Sequence, residues 1–218
     1  MSGFYGESQR RLQDHFDSRR LADGLENAII HDRLTKIDSK FITASDMFFL
    51  STLDHNGWPT VSHKGGFPGF VKILDDQNIA FPFYDGNGMH YSAGNIQDNA
   101  KIGMLFIDFV RPRRIRVHGT AKVAIDDPLL SDYHEACMIV RVKVDNIFTN
   151  CGRYIHKYTR KQQSEYVPSD GTETPIAEWK RVEEFQNFLP ERDQGSADKA
   201  GGTISEKEYR KDFWRGLD

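Results

Sequence analysis

The chain has 218 residues and a net charge of −3, with 38% hydrophobic and 28% charged residues. That balance belongs to a folded globular chain and not to a disordered one. The lack of a basic excess argues against a general nucleic-acid binder, and no apolar stretch approaches the roughly 20 residues needed to span a bilayer. The opening Met-Ser-Gly-Phe-Tyr-Gly-Glu has no signal-peptide core, so the expected compartment is the cytoplasm. Cys137 and Cys151 are the only cysteines, which suggests two reduced thiols and no metal site.

Residues 7–35 space their apolar positions (Leu12, Phe16, Leu21, Leu25, Ile29, Ile30, Leu34) as an amphipathic helix does, with a break expected near Asp23-Gly24. A different texture starts at Met47. Met47–Leu53 reads as a buried strand, and Asp54-His55-Asn56-Gly57 leads back into a return strand, Pro59–Lys64. Asn-Gly is a strong hairpin signal because both residues tolerate the positive φ of a tight primed turn. Further strands are expected at Phe70–Leu74, Ile79–Tyr84, Ile102–Phe109, Arg113–Ile125 and Cys137–Val144. In the strand from Arg113, Ile115 and Val117 alternate with Arg114, Arg116 and His118, the period-2 pattern of a half-buried strand. Short helical segments are expected at Met89–Gln97, Pro128–Glu135 and Asn150–Gln163. Beyond a polar loop at 167–175, Trp179–Leu189 and Ser205–Trp214 read as terminal helices, with a mobile Gly-rich stretch at 191–203 between them. So many short strands with few helices between them favour an antiparallel barrel over a doubly wound parallel sheet. The organisation expected is a helical segment over 1–40, a barrel domain over 41–165, and a loop with short helices over 166–218.

Three places carry candidate chemistry. Ser62-His63-Lys64-Gly65-Gly66 closes the return strand with a hydroxyl, an imidazole and an ammonium beside two glycines, a combination that suits an anion. It suits a solvated strand end equally well. Phe81-Pro82-Phe83-Tyr84-Asp85-Gly86-Asn87-Gly88 runs a strand into a glycine pair, but its next glycine is Gly94, so the dinucleotide fingerprint fails. Pro82 is foreign to an ordinary central strand because it cannot donate to the ladder, and a proline there can leave backbone groups facing a ligand. Arg111-Pro112-Arg113-Arg114-Ile115-Arg116 places four arginines in six positions. Arg114 and Arg116 on one strand face would form a fork for phosphate or carboxylate, or else a solvated face. No serine sits in a nucleophile-elbow context, and no Cys/His pair has metal-ligand spacing.

Taken in order, these motifs resemble the pyridoxamine 5′-phosphate oxidase-related, FMN-binding split-barrel family over about Phe41–Tyr158. The carriers are Asp54-x-x-Gly57-x-Pro59-x-x-Ser62, Gly65-Gly66-x-x-Gly69-Phe70-Val71, Ala80-Phe81-Pro82-x-Tyr84-x-Gly86-Asn87, Gly94-Asn95-Ile96 and Leu105-Phe106-Ile107-Asp108. Arg113-Arg114-Ile115-Arg116-Val117-His118-Gly119 resembles the family's Arg-Gln-Val-Arg-Val-Glu-Gly strand. The resemblance implies a six-stranded antiparallel split β-barrel with flanking helices, α+β and mainly β, forming a homodimer with FMN at the subunit interface. By position it gives the FMN phosphate and ribityl chain to Ser62, His63, Lys64 and Gly65. Phe83, Tyr84, Asp85, Gly86 and Asn87 would meet the ring, and Asn95 would stand near the phosphate or cap the next segment. Arg114 and Arg116 would reach the flavin from the later strand, with Asn150–Arg153 approaching from the partner. Phe48, Phe67, Phe70, Phe106 and Phe109 are either aromatic surface for that dimer or core filling.

The implied activity is flavin-mediated hydride or electron transfer on a small molecule. Two alternatives stay open: the vitamin oxidase itself, and a non-catalytic flavin, deazaflavin or haem binder. Gly88-Met89-His90-Tyr91 replaces the family's Ser-Arg-Lys segment, and the Arg-x-His substrate motif is missing. Both departures count against the vitamin reaction and leave the case for FMN untouched.

Overall fold

In the computed structural model, which describes residues 3–213, strand alternation decides what is buried. β1 (Met47–Leu53) buries every second residue, so Phe48, Leu50 and Thr52 face the core. β2 (Pro59–Gly65) returns antiparallel with Leu53 opposite Pro59 and Phe48 opposite Lys64. The connection is longer than the two-residue turn expected. Only Gly57 there takes a positive φ, +82°. The Asp54 carboxylate accepts the Asn56 and Trp58 N–H groups at 2.9 and 2.8 Å, and this Asx turn sets the hairpin.

β3 (Lys72–Ile73), β4 (Asn78–Tyr84), β5 (Lys101–Asp108), β6 (Arg113–Ala124) and β7 (Ala136–Asn150) complete one antiparallel sheet in the order β2-β1-β5-β6-β7-β4-β3. The sheet has the seven strands read along the sequence, one more than the six-stranded barrel that the resemblance implies, and it is not closed. The physical reason lies at its ends: β3 pairs only with β4 and β2 only with β1, so two edges persist. β3 is also shorter than the Phe70–Leu74 segment expected, because Phe70 and Val71 turn into the core instead of joining the ladder. β7 is longer than expected and runs straight to Asn150, and the segment after it is irregular, not helical.

Pro82 fits this sheet without loss. The Asn78 carbonyl accepts the Leu74 N–H at 2.8 Å, so Asn78 turns its backbone toward the β3 edge. Residues of the same parity do likewise, and Pro82 therefore aims its missing donor where β3, which covers only Ile79 and Ala80, has already ended.

The core under the sheet is a Phe/Ile/Val cluster: Phe48, Phe81 and Phe106 are fully buried, and Phe48 packs on Phe70, Phe81 and Phe106 at centroid distances of 4.9–5.8 Å. Three of the five phenylalanines weighed as possible dimer surface (Phe48, Phe70, Phe106) thus fill the core. At the N-terminal end, α1 (Glu7–His15) and α2 (Arg19–Ile29) break at Asp17, which takes φ +50°, while Gly24 lies inside α2. α3 (Lys36–Ala44), which periodicity did not announce, starts at a capping box. Thr35 Oγ1 accepts the Asp38 N–H, and the Asp38 carboxylate accepts the Thr35 N–H and His31 Nε2. α4 (Tyr91–Asp98) follows β4.

The chain divides into two compact units, Met1–Lys161 and Gln162–Asp218. In the second, the segment expected as a helix over 179–189 is two 3₁₀ turns, Glu178–Arg181 and Glu183–Phe188. The Gly-rich stretch carries α5 (Ser196–Lys199), and α6 (Glu206–Phe213) lies where the last helix was expected; Trp214 is outside the described residues. Lys180 is 7% exposed, lies against the Trp179 ring and is 3.0 Å from the Asp193 carboxylate. None of the described helices is long and apolar enough to cross a membrane.

Candidate functional site

On the inner face of β2, Thr60, Ser62 and Lys64 stand opposite Thr52, Leu50 and Phe48. Phe48 and Leu50 are fully buried, so the Lys64 stem is drawn over apolar surface, and its ammonium ends 4.3 Å from the Phe83 ring centroid. No hydrogen bond or carboxylate meets this ammonium among the described residues, and burial pushes its pKa down. A cation half-buried against aromatic carbon and lacking a counter-ion is costly unless something anionic binds it.

A cavity of about 450 Å³ opens around it, a volume within the range of small-molecule sites. One wall is β2 from Thr60 to Gly65. The other is the end of β4 with the turn that follows, from Pro82 to Ser92. Phe83 is buried and Tyr84 half-buried, and burial raises the Tyr84 phenol. The turn is held by its own side chains: Asn87 Oδ1 accepts the Met89 N–H at 3.1 Å, and Gly88 and His90 take φ +75° and +47°. His90 is the N-cap of α4, so the first N–H groups of that helix open beside the cavity with their partial positive charge. Ser62 Oγ and Ser92 Oγ bond across the cavity at 3.1 Å. Tyr91 OH donates to Asp54 Oδ2 at 2.8 Å, tying the start of α4 to the β1–β2 turn.

Nine of the twelve site residues expected from sequence line this cavity: Ser62, His63, Lys64, Gly65, Phe83, Tyr84, Asp85, Gly86 and Asn87. His63 contributes to the wall, while its ring packs edge-on to Phe49 at 6.1 Å. Asn95 does not line it. It is 5% exposed and donates to Thr52 Oγ1 at 3.0 Å, anchoring α4 to β1 from behind. Arg114 and Arg116 are also absent from its lining, because the alternation that buries Ile115 and Val117 sends them to the opposite face of the sheet. Gly66, next to the candidate anion segment, has a packing duty. Its N–H donates to the Asp46 carbonyl, and a Cβ there would lie 2.4 Å from Phe70 Cγ.

The sequence reading missed Ser92, Tyr91 and His90. Ser92 and Tyr91 act through partners 30 and 37 residues away, a distance over which local pattern carries no signal. Among the described residues no group of three or more His, Cys, Asp or Glu side chains is placed to hold a metal ion.

HupZ of Group A Streptococcus is 20% identical over 53% of this chain and 93% of its own, with a TM-score of 0.44. A candidate pyridoxamine 5′-phosphate oxidase from Lactobacillus delbrueckii is 23% identical over 54% of this chain and 95% of its own, with a TM-score of 0.45. A FAD-binding protein from Mesorhizobium loti is 12% identical over 56% of this chain and 99% of its own, with a TM-score of 0.37. No curated protein matches the chain. The family model for pyridoxamine 5′-phosphate oxidase matches residues 34–149, just over half of the chain and the whole of the cavity wall, and the chain belongs to that family.

Proposed function

We propose that this protein binds FMN in the Lys64 cavity and acts as a flavin-dependent oxidoreductase on a small molecule. The observation that carries the reading is the uncompensated Lys64 ammonium, set beside the Ser62 and Ser92 hydroxyls and the N-terminus of α4. A phosphate monoester bears close to two negative charges, and this is a donor set that would neutralise them. Phe83 and Tyr84 would give the isoalloxazine an apolar wall, and the backbone of Asp85–Asn87 would meet its polar edge. Bound flavin would supply hydride and electron transfer; the chain's part is to hold the phosphate, orient the ring and keep water from one face.

The reading includes a homodimer. Its support is the outer face of the sheet, where Phe49 and Leu105 are half-buried in register with one another and Val61 is 68% exposed. A second copy covering that face would remove apolar surface from water.

The test is the visible spectrum of the purified protein, with heat release and chromatography of any chromophore, followed by titration of the free protein with FMN. Flavin bands and released FMN are expected. A colourless protein that takes up no added FMN would end the reading, and an absorbance of deazaflavin or haem type would replace the cofactor. Light scattering at the mass of one chain would remove the dimer.

A further inference from the structure

The start of α4 is held in place by neighbours and not by its own cap. His90, the N-cap, takes φ +47° and ψ 27°, a left-handed conformation that disfavours any residue but glycine, and its side chain makes no capping hydrogen bond. An uncapped helix start in such a conformation keeps its place only where the surroundings over-determine it. Three ties do so. Asn95 Nδ2 donates to Thr52 Oγ1 at 3.0 Å and fixes the middle of the helix. Ser92 Oγ meets Ser62 Oγ at 3.1 Å, but both hydroxyls line the cavity, and a bound phosphate would draw them to itself. Tyr91 OH donates to Asp54 Oδ2 at 2.8 Å and is the tie that holds the first turn from outside the cavity.

Asp54 is built for that duty. Its Oδ1 accepts the Asn56 and Trp58 N–H groups at 2.9 and 2.8 Å, which fixes the carboxylate on the β1–β2 turn and leaves Oδ2 for Tyr91. Burial raises the Asp54 carboxyl, but the bonds from the Trp58 N–H, the Tyr91 hydroxyl and the Asn56 N–H outweigh it and hold the group below its usual range. The same bond raises the Tyr91 phenol, so the pair persists as carboxylate and phenol across neutral pH.

We infer that Asp54, acting through Tyr91, is a positioning residue that sets the preference of the cavity for a phosphorylated over an unphosphorylated flavin. The partial charge of a helix start is felt only within its first turn, and an N–H donor weakens steeply once misaligned. A swing of that turn would therefore take the Tyr91, Ser92 and Ala93 N–H groups off the phosphate. Phe83 and Tyr84 would be untouched, since the β4–β7 ladder holds them. The inference rests on the FMN reading and extends it, assigning selectivity to a residue that does not line the cavity.

The test measures FMN and riboflavin affinities of the full chain, of Asp54→Asn, of Tyr91→Phe and of the double variant. Asparagine keeps the Oδ1 acceptor of the turn and loses the acceptor for Tyr91, while phenylalanine leaves the turn intact. Each single variant should bind FMN about three- to tenfold more weakly, part of the worth of one hydrogen bond to a charged group, with riboflavin affinity within about twofold. The double variant should lose no more than either single one, because all three lack the same bond. Equal losses for FMN and riboflavin, or an unchanged FMN affinity in Tyr91→Phe, overturn the inference while leaving the cofactor reading in place. If the wild-type chain takes up no FMN, the cofactor reading falls, and inorganic phosphate becomes the probe, followed by the Ser92 and Ala93 amide resonances. A saturable shift in wild type that weakens in Tyr91→Phe then supports the pair, and no shift, or the same shift in both, overturns it.

Discussion

Replacing Lys64 with methionine should move cofactor affinity and fold stability in opposite directions. The ammonium is half-buried beside Phe83, and no carboxylate meets it among the described residues. At about 4 Å and an effective dielectric of about 20, one charge pair with phosphate is worth ~4 kcal/mol before desolvation is subtracted. A net charge-assisted hydrogen bond keeps about 1.5–3 kcal/mol of that, so the FMN dissociation constant should rise by about 10- to 150-fold. Methionine preserves the apolar stem and removes the buried charge, so the free variant should unfold at the same or a higher denaturant concentration than wild type. The assay is quenching of FMN fluorescence at fixed ionic strength, repeated with riboflavin, which lacks the phosphate. Riboflavin should bind wild type and Lys64→Met alike. An unchanged FMN affinity, or an equal loss for FMN and riboflavin, would refute the pairing of Lys64 with a phosphate. A clear loss of stability would show that the lysine belongs to the fold.

Three further outcomes follow from the same structure. Gly66→Ala would drive a methyl into the Phe70 ring and displace it from Phe48, costing about 1–3 kcal/mol, seen as a lowered Tm. Burial alone raises the Asp38 carboxyl, but hydrogen bonds from Thr35 and His31 outweigh it and hold the group below its usual range. Its stabilisation is therefore complete above the unfolded value of about 4 and is lost as pH falls through the folded value. Asp38→Asn should cost ~1–3 kcal/mol at pH 7 and remove that share of acid sensitivity, as denaturant titrations at pH 7 and pH 3 would show. Asp193→Ala removes the carboxylate 3.0 Å from the buried Lys180 ammonium and should cost ~1–3 kcal/mol, the worth of a hydrogen bond to a charged group, read as faster amide exchange across 178–204.

Much of the sheet was legible because its signals are local. Met47–Leu53 and Arg113–Ala124 alternate with a period of two, and burial follows that alternation residue by residue. The same alternation dictates that Arg114 and Arg116 share a face, but not that this face is opposite Lys64. That depends on three intervening strand pairings, β2 with β1, β1 with β5 and β5 with β6. Whether the sheet closes is likewise decided at its two ends, by which strand fails to find a partner. α3 had a signal that went unused, Thr35-x-x-Asp38, a capping box with aspartate in place of the usual glutamate. The break between α1 and α2 fell on Asp17 and not on Gly24, since a lone glycine inside a helix costs only ~1 kcal/mol and packing can override it. The nine cavity residues were found because two short motifs supply both walls, whereas Ser92 and Tyr91 required the fold.

The position of Pro82 has a consequence for life at high concentration. An open strand edge with free N–H and C=O groups invites a second chain to add a strand and start an aggregate. Past Ala80 the β3 side of β4 has no ladder partner, and its residues are apolar and aromatic. A proline there withholds the one donor that an incoming strand would need at that register. The cavity mouth can therefore stay accessible to a small molecule while refusing an extended peptide, including a copy of this same chain.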